Sequence, residues 1–236
     1  MKRTLHVLCA GAVKGLVQAA QARFLAASGA EIDARFGAVG AMKEALMSGA
    51  ACDVLIVTDA MLHALQGNGA IESETVAPIG RVRTGVAVRE GEPVPAVDSA
   101  EGLKAALIAA PAIYLPDIAK STAGAHVASV IDRLDLRDAV AGKLQVFANG
   151  ATAMTALANA GAFGSIGCTQ VTEIVYTPFL VLAGTLPDPF GLATTYSAGV
   201  STTANDAALA TGFIAMLCGP ELKSLRRDGG FEPLVS

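Results

Sequence analysis

Residues 5–36, LHVLCAGAVKGLVQAAQARFLAASGAEIDARF, decide the fold. Leu5–Cys9 is a short apolar run suited to a buried strand. Val13, Leu16, Val17, Ala20 and Phe24 then fall at i, i+3, i+4, i+7 and i+11, the stripe of an amphipathic helix that stops at Ser28-Gly29. Ile32–Phe36 reads as a second strand and Met42–Met47 as a second helix closed by Ser48-Gly49. Asp53–Val57 is a third strand, leading into a helix at Ala60–Leu65 that ends at Gly67-Asn68-Gly69. Alternation of this kind calls for a parallel sheet with helices on both faces.

Further along, Val76–Ile79 and Val82–Val88 are strand-like, followed by a Gly/Pro turn at Glu90–Pro95. A second α/β unit follows: helix Ser99–Ala109, strand Ala112–Leu115, helix Ser121–Leu134, strand Leu144–Phe147, helix Ala151–Ala160 and strand Ser165–Cys168. Strands at Phe179–Leu182 and Tyr196–Ser201 and helices at Asn205–Leu217 and Glu221–Asp228 complete the chain. Extended strands rather than a flexible linker join the two units. The expected division is 1–79 with 192–236 for the first lobe and 80–191 for the second.

Composition narrows the function. The 236 residues are 53% hydrophobic and 16% charged, and the mean hydropathy of +0.51 raises the question of a membrane span. A span needs about 18–20 consecutive apolar residues. The long charge-free stretch Leu144–Thr172 is broken by Gly, Asn, Thr, Ser and Gln, so no insertion is expected. The hydrophobicity is that of Ala and Val spread evenly, as buried strands and Ala-rich helices require. A net charge of −4 offers no basic footprint for nucleic acid. Between Lys143 and Lys223 there is no Lys or Arg, so cations at any binding site must come mostly from the first 143 residues. Cys9, Cys52, Cys168 and Cys218 lie far apart in apolar runs and read as small buried thiols. At the start of the chain, the apolar run Val7–Ala10 is too short for a signal core. The expected location is cytoplasmic as the chain stands, and periplasmic if Met1 is not the native start.

Four strand-to-helix turns are made of small residues: Cys9–Lys14, Phe36–Gly40, Lys120–Gly124 and Asn149–Thr152. Backbone N–H groups at such turns, aided by the helix dipole, can hold an anion. Other chemistries lack their residues. Gly11-Ala-Val-Lys-Gly15 misses the third glycine of a dinucleotide fingerprint, and neither a Walker loop nor G-x-S-x-G occurs. No Lys stands four residues after Tyr114, Tyr176 or Tyr196. His6, His63 and His126 have no metal-ligand spacing, so neither metal nor cofactor is expected.

The order of elements, with Val7-Leu-Cys-Ala-Gly-Ala-Val-Lys14, Asp53-Val-Leu-Ile-Val-Thr58, Lys120-Ser-Thr-Ala-Gly124 and Ile166-Gly-Cys-Thr-Gln-Val-Thr-Glu173, resembles the molybdate-binding proteins among the type II periplasmic solute-binding proteins. That resemblance covers nearly the whole chain. It implies an α/β fold of two lobes, each a mostly parallel sheet flanked by helices, with a ligand cleft between them. It further implies a monomer that serves an ABC permease. The resemblance places ligand contacts at Gly11, Ala12, Val13, Lys14, Ala38, Val39, Ser121, Thr122, Ala123, Thr152 and Gln170, with Arg81 and Arg83 as further cations. Ala12 and Val39 stand where molybdate binders carry hydroxyls, and Gln170 where they carry a tyrosine. Each lost donor leaves an oxyanion lone pair unmatched at about 1–3 kcal/mol, which favours a carboxylate over molybdate. The segments Gly80–Pro93 and Gln170–Glu173 also look similar to a branch that contains aconitate isomerase, which moves a double bond by proton abstraction and return. On that alternative, Lys14, Lys120 or Glu173 is the candidate base.

Overall fold

The computed structural model describes residues 3–234. The opening stretch folds as β1 (Arg3–Ala10), a 3₁₀ turn at Gly11–Val13, α1 (Lys14–Ser28) and β2 (Ala30–Gly37). Leu16, Val17, Ala20 and Phe24 form the buried face of α1, and Gly29 closes it in the left-handed conformation (φ 69°) by donating its N–H to Leu25 O. The chain continues through α2 (Val39–Met47), β3 (Val54–Thr58) and α3 (Asp59–Gly67) to β4 (Ala77–Arg89). Next come α4 (Ala100–Ala109), β5 (Ile113–Pro116), α5 (Thr122–Arg133), the single turn α6 (Arg137–Val140), β6 (Leu144–Phe147) and α7 (Gly150–Ala158). The last elements are β7 (Ile166–Gln170), α8 (Val171–Val175), β8 (Leu180–Thr185), β9 (Ala193–Val200), α9 (Ala207–Cys218) and α10 (Lys223–Asp228).

Two compact units result, one made of the chain up to Val82 and from Thr194 on, the other of Arg83–Ala193. The division therefore falls inside β4 and at the start of β9. The expected outer bounds at residues 1 and 236 lie outside the described residues. In the first unit the strand order is β2-β1-β3-β9, parallel except for the antiparallel β3–β9 pair. Asp53, 1% exposed, pins this sheet at the foot of β3. Its Oδ2 accepts the His6 N–H at 2.8 Å and its Oδ1 the Asn205 N–H at 2.7 Å, tying β3 to β1 and to the segment before α9. Phe24 of α1 meets Phe213 of α9 edge to face, with ring centroids 4.9 Å apart.

The second unit has the order β8-β4-β7-β5-β6, with β5 parallel to both neighbours and β4 antiparallel to both of its own. Alternation along β4 separates two cores. Val86 and Val88 face Leu103, Leu107, Val127 and Ile131 of α4 and α5, whereas Ala87 faces Met154, Leu157 and Ile174 of α7 and α8. Where two strands were expected, at 76–79 and 82–88, one strand of 13 residues forms. Arg81, its fifth residue, pairs as a bridge with Glu232, a partner 151 residues away. Cys9, Cys52 and Cys168 are buried as expected, and Cys218 is half-buried. No helix among the described residues is long and apolar enough to cross a membrane.

Candidate functional site

In the first unit, the helices after β1 and β2 begin without help from side chains. Neither Ala10 before the 3₁₀ turn, nor Val13 before α1, nor Ala38 before α2 offers a capping acceptor. Their first N–H groups are thus left to backbone, solvent or ligand. The helix after β3 differs. Thr58 Oγ1 accepts the Met61 N–H at 3.4 Å, and the first residue of α3 is Asp59, whose carboxylate accepts the Ser197 hydroxyl at 2.6 Å. That helix start already carries its own anion. Gly11, Ala12, Val13, Ala38 and Val39 are all buried, so the two bare turns present backbone within an apolar surround. Lys14, half-buried, opens α1 with its Nζ 5.8 Å from the centroid of Phe36 on β2. Arg81 donates from Nε and Nη2 to Glu232 Oε2 at 3.1 and 2.9 Å. Its guanidinium therefore fastens the chain end to β4.

The turns of the second unit are largely self-satisfied. Ser121 Oγ accepts the Gly124 N–H at 3.4 Å and caps α5. Before it, Asp117 Oδ1 accepts the N–H groups of Lys120 at 2.9 Å and Ala119 at 2.8 Å, and these bonds hold its carboxyl below the usual range. Lys120 is exposed, Thr122 half-buried and Ala123 buried. A Cβ on Gly124 would collide with the carbonyl oxygens of Pro116 and Asp117, so the glycine of the S-T-A-G stretch lets α5 start against β5. Asn149 and Thr152 form a capping box at α7: Asn149 Oδ1 accepts the Thr152 N–H at 2.9 Å, and Thr152 Oγ1 accepts the Asn149 N–H at 3.2 Å. The hydroxyls of Ser121 and Thr152, expected to meet ligand, thus serve their own helices.

The I-G-C-T-Q-V-T-E stretch spans β7 and the first turn of α8. Thr169 donates its hydroxyl to Glu173 Oε2 at 2.5 Å, and both side chains are buried. The pair sits against the Cα of Gly150, where a Cβ would overlap both Glu173 Oε2 and Thr169 Oγ1. Gln170 precedes α8 without capping it, is 2% exposed, and makes no side-chain hydrogen bond among the described residues. The same holds for Thr84, its cross-strand partner on β4, and for Thr172 on α8. Sequence reasoning singled out Gln170 but missed the two threonines. A hydroxyl just before the apolar Gly85–Val88 run was the only local signal for Thr84. Arg83, half-buried, opens the second unit's share of β4. Among the described residues, no three His, Cys, Asp or Glu side chains gather as metal ligands.

Comparison with known proteins fits this layout. Over 238 aligned residues the chain is 22% identical to an aconitate isomerase of Pseudomonas sp, covering 98% of this chain and 88% of the relative. The fold superposes on the periplasmic molybdate-binding protein of Azotobacter vinelandii with a TM-score of 0.80 at 15% identity, covering 98% of this chain and all of that one. A sulfate-binding protein of Mycobacterium tuberculosis gives a TM-score of 0.73 at 16% identity, over 98% of this chain and 87% of its own. The fold is accordingly that of the type II periplasmic binding proteins. The profile of the bacterial extracellular solute-binding proteins matches residues 5–232, and the chain belongs to that family.

Proposed function

We propose that this protein binds a small carboxylate anion, in the manner of a solute-binding subunit of an ABC importer. The observation that carries the reading is the pair of bare helix starts at α1 and α2, buried, uncapped by any side chain, and lacking hydroxyls at Ala12 and Val39. Backbone N–H groups and the Lys14 ammonium are the donors there, which suits a carboxylate. The molybdate- and sulfate-binding relatives support an anion as the class of ligand. A thermal-shift screen over molybdate, tungstate, sulfate, phosphate, dicarboxylates and tricarboxylates tests it. Stabilisation confined to carboxylates is expected, and a shift with molybdate alone refutes the reading. Lys14→Ala should weaken the best ligand about ten- to hundredfold, the loss of one charge-assisted hydrogen bond of about 1.5–3 kcal/mol.

A second reading is favoured by the match to aconitate isomerase along 98% of the chain. Here the bound tricarboxylate would lose an allylic proton to a base and regain it at the far end of the allylic system, two carbons away, as the double bond moves by one position. The candidate bases are Lys14, Lys120 and Glu173, the last buried and bonded through one carboxylate oxygen by Thr169. Incubation with trans-aconitate, followed by NMR for the cis isomer, separates the two: turnover ends the binder-only reading, and tight binding without turnover ends the enzyme. A transport role would place the protein outside the cytoplasmic membrane and a sensing role inside it, whereas an isomerase fits either compartment. Fractionation of cells expressing the natural gene distinguishes transport from sensing.

A further inference from the structure

Five buried side-chain atoms lack a hydrogen-bond partner among the described residues: Thr84 Oγ1, Gln170 Nε2 and Oε1, Thr172 Oγ1 and Thr194 Oγ1. All but the last belong to the second unit, and two of the residues are cross-strand partners. Thr84 and Gln170 stand directly opposite each other on antiparallel β4 and β7. The Thr84 N–H goes to Leu192 O and its carbonyl accepts from Leu186 N–H, so Thr84 and Gln170 form a non-hydrogen-bonded pair. In such pairs the side chains share a face and come closest. Thr172 follows two residues later on α8. The three are 0%, 2% and 1% exposed. The other buried hydroxyls of the second unit are satisfied, Thr169 by Glu173 and Ser165 by Ala162 O.

Burying unpaired polar atoms is costly unless something else pairs them. The chemistry of the set defines that partner. The Gln170 amide nitrogen and the two hydroxyls donate, whereas Gln170 Oε1 can only accept. A fully deprotonated oxyanion only accepts, and would leave Oε1 facing like charge. A buried ammonium would need a carboxylate beside it, and the set itself is neutral, with Glu173 Oε2 already taken by Thr169. A hydroxyl, which donates and accepts without charge, matches. We propose that Thr84, Gln170 and Thr172 form a specificity subsite for a ligand hydroxyl, so that the ligand class is the hydroxycarboxylates. The inference rests on the small-carboxylate reading and narrows it.

Matched pairs test it by titration calorimetry: succinate against malate, and tricarballylate against citrate. The hydroxyl-bearing member should bind about tenfold more tightly in at least one pair, the worth of one well-made hydrogen bond. In the Thr84→Val, Gln170→Leu double variant that advantage should vanish, while the unliganded Tm stays level or rises because unpaired polar groups have been removed. Equal affinity within both pairs overturns the hydroxyl subsite and leaves the carboxylate reading intact. An advantage that survives in the double variant overturns the assignment to these residues. A Tm loss of more than about 5 °C, or failure to fold, shows that the atoms are paired for structure and overturns it too. Binding of molybdate or sulfate with no carboxylate binding overturns both inferences together.

Discussion

Replacing Gly150 by alanine is expected to destabilise the second unit by an amount set by two neighbours. Gly150 begins α7, and an added methyl would overlap Glu173 Oε2 and Thr169 Oγ1. Neither side chain can swing into solvent, since Thr169 is fully buried and Glu173 is 7% exposed. Overpacking of this kind costs about 1–3 kcal/mol, and breaking the Thr169–Glu173 hydrogen bond adds about 0.5–1.5 kcal/mol. Alanine's better helix propensity returns up to about 1 kcal/mol. The net of about 0.5–4.5 kcal/mol corresponds to a fall in Tm of about 1–18 °C for a chain of this length. Differential scanning fluorimetry and urea unfolding read it directly. Gly142→Ala, where the methyl would meet nothing within 4 Å, is the control and should move Tm by less than about 1 °C. Because the obstacle is the Glu173 carboxylate, Gly150→Ala should cost less in a Glu173→Ala background. An unchanged Tm, or strict additivity of the two substitutions, would refute the packing of α7 against the Thr169–Glu173 pair.

Gly124→Ala should be worse tolerated than Gly150→Ala, because its methyl strikes the backbone carbonyls of Pro116 and Asp117; a soluble, cooperatively unfolding variant with wild-type Tm would contradict this. Asp117 carries a depressed pKa from the N–H groups of Lys120 and Ala119, so its stabilisation is present above the ordinary value of 3.8 and is lost as pH falls through the lower folded value. The Tm difference between wild type and Asp117→Ala should therefore be constant above about pH 5 and shrink toward pH 3, and a difference that grows on acidification would reverse the sign. Burial pushes the thiols of Cys52 and Cys168 to about 12 and that of Cys218 to about 11, with Cys9 higher still. A disulfide reagent at pH 8 should leave Cys9, Cys52 and Cys168 unmodified in the native protein and titrate all four after denaturation, whereas rapid native labelling of any of those three would contradict its burial.

The parts that the sequence disclosed were those carried by short-range pattern. Period-3.6 spacing of Leu16, Ala20 and Phe24 and the Ser28-Gly29 stop locate α1 without any distant contact. Asp53 at the foot of β3 marked a strand, but its two backbone partners come from residues 47 and 152 positions away. For the same reason β4 reads as two strands, since Gly80 and Arg81 look like a break until Glu232 pairs with them. The site shows the opposite failing. The caps of Ser121 and of Asn149 with Thr152 are local and could be read from S-x-x-G and N-x-x-T, yet a hydroxyl at a helix start looks the same whether it serves the helix or a ligand. Thr84 was invisible because only the register with Gln170 sets it beside an unpaired amide.

Titration calorimetry of the purified protein with citrate, malate and molybdate, each against Lys14→Ala as well, tests the central claim most directly. Saturable binding of a carboxylate, weakened about ten- to hundredfold by Lys14→Ala and without measurable heat from molybdate, is the predicted result. Tight molybdate binding with no carboxylate bound, or carboxylate binding indifferent to Lys14, would contradict it.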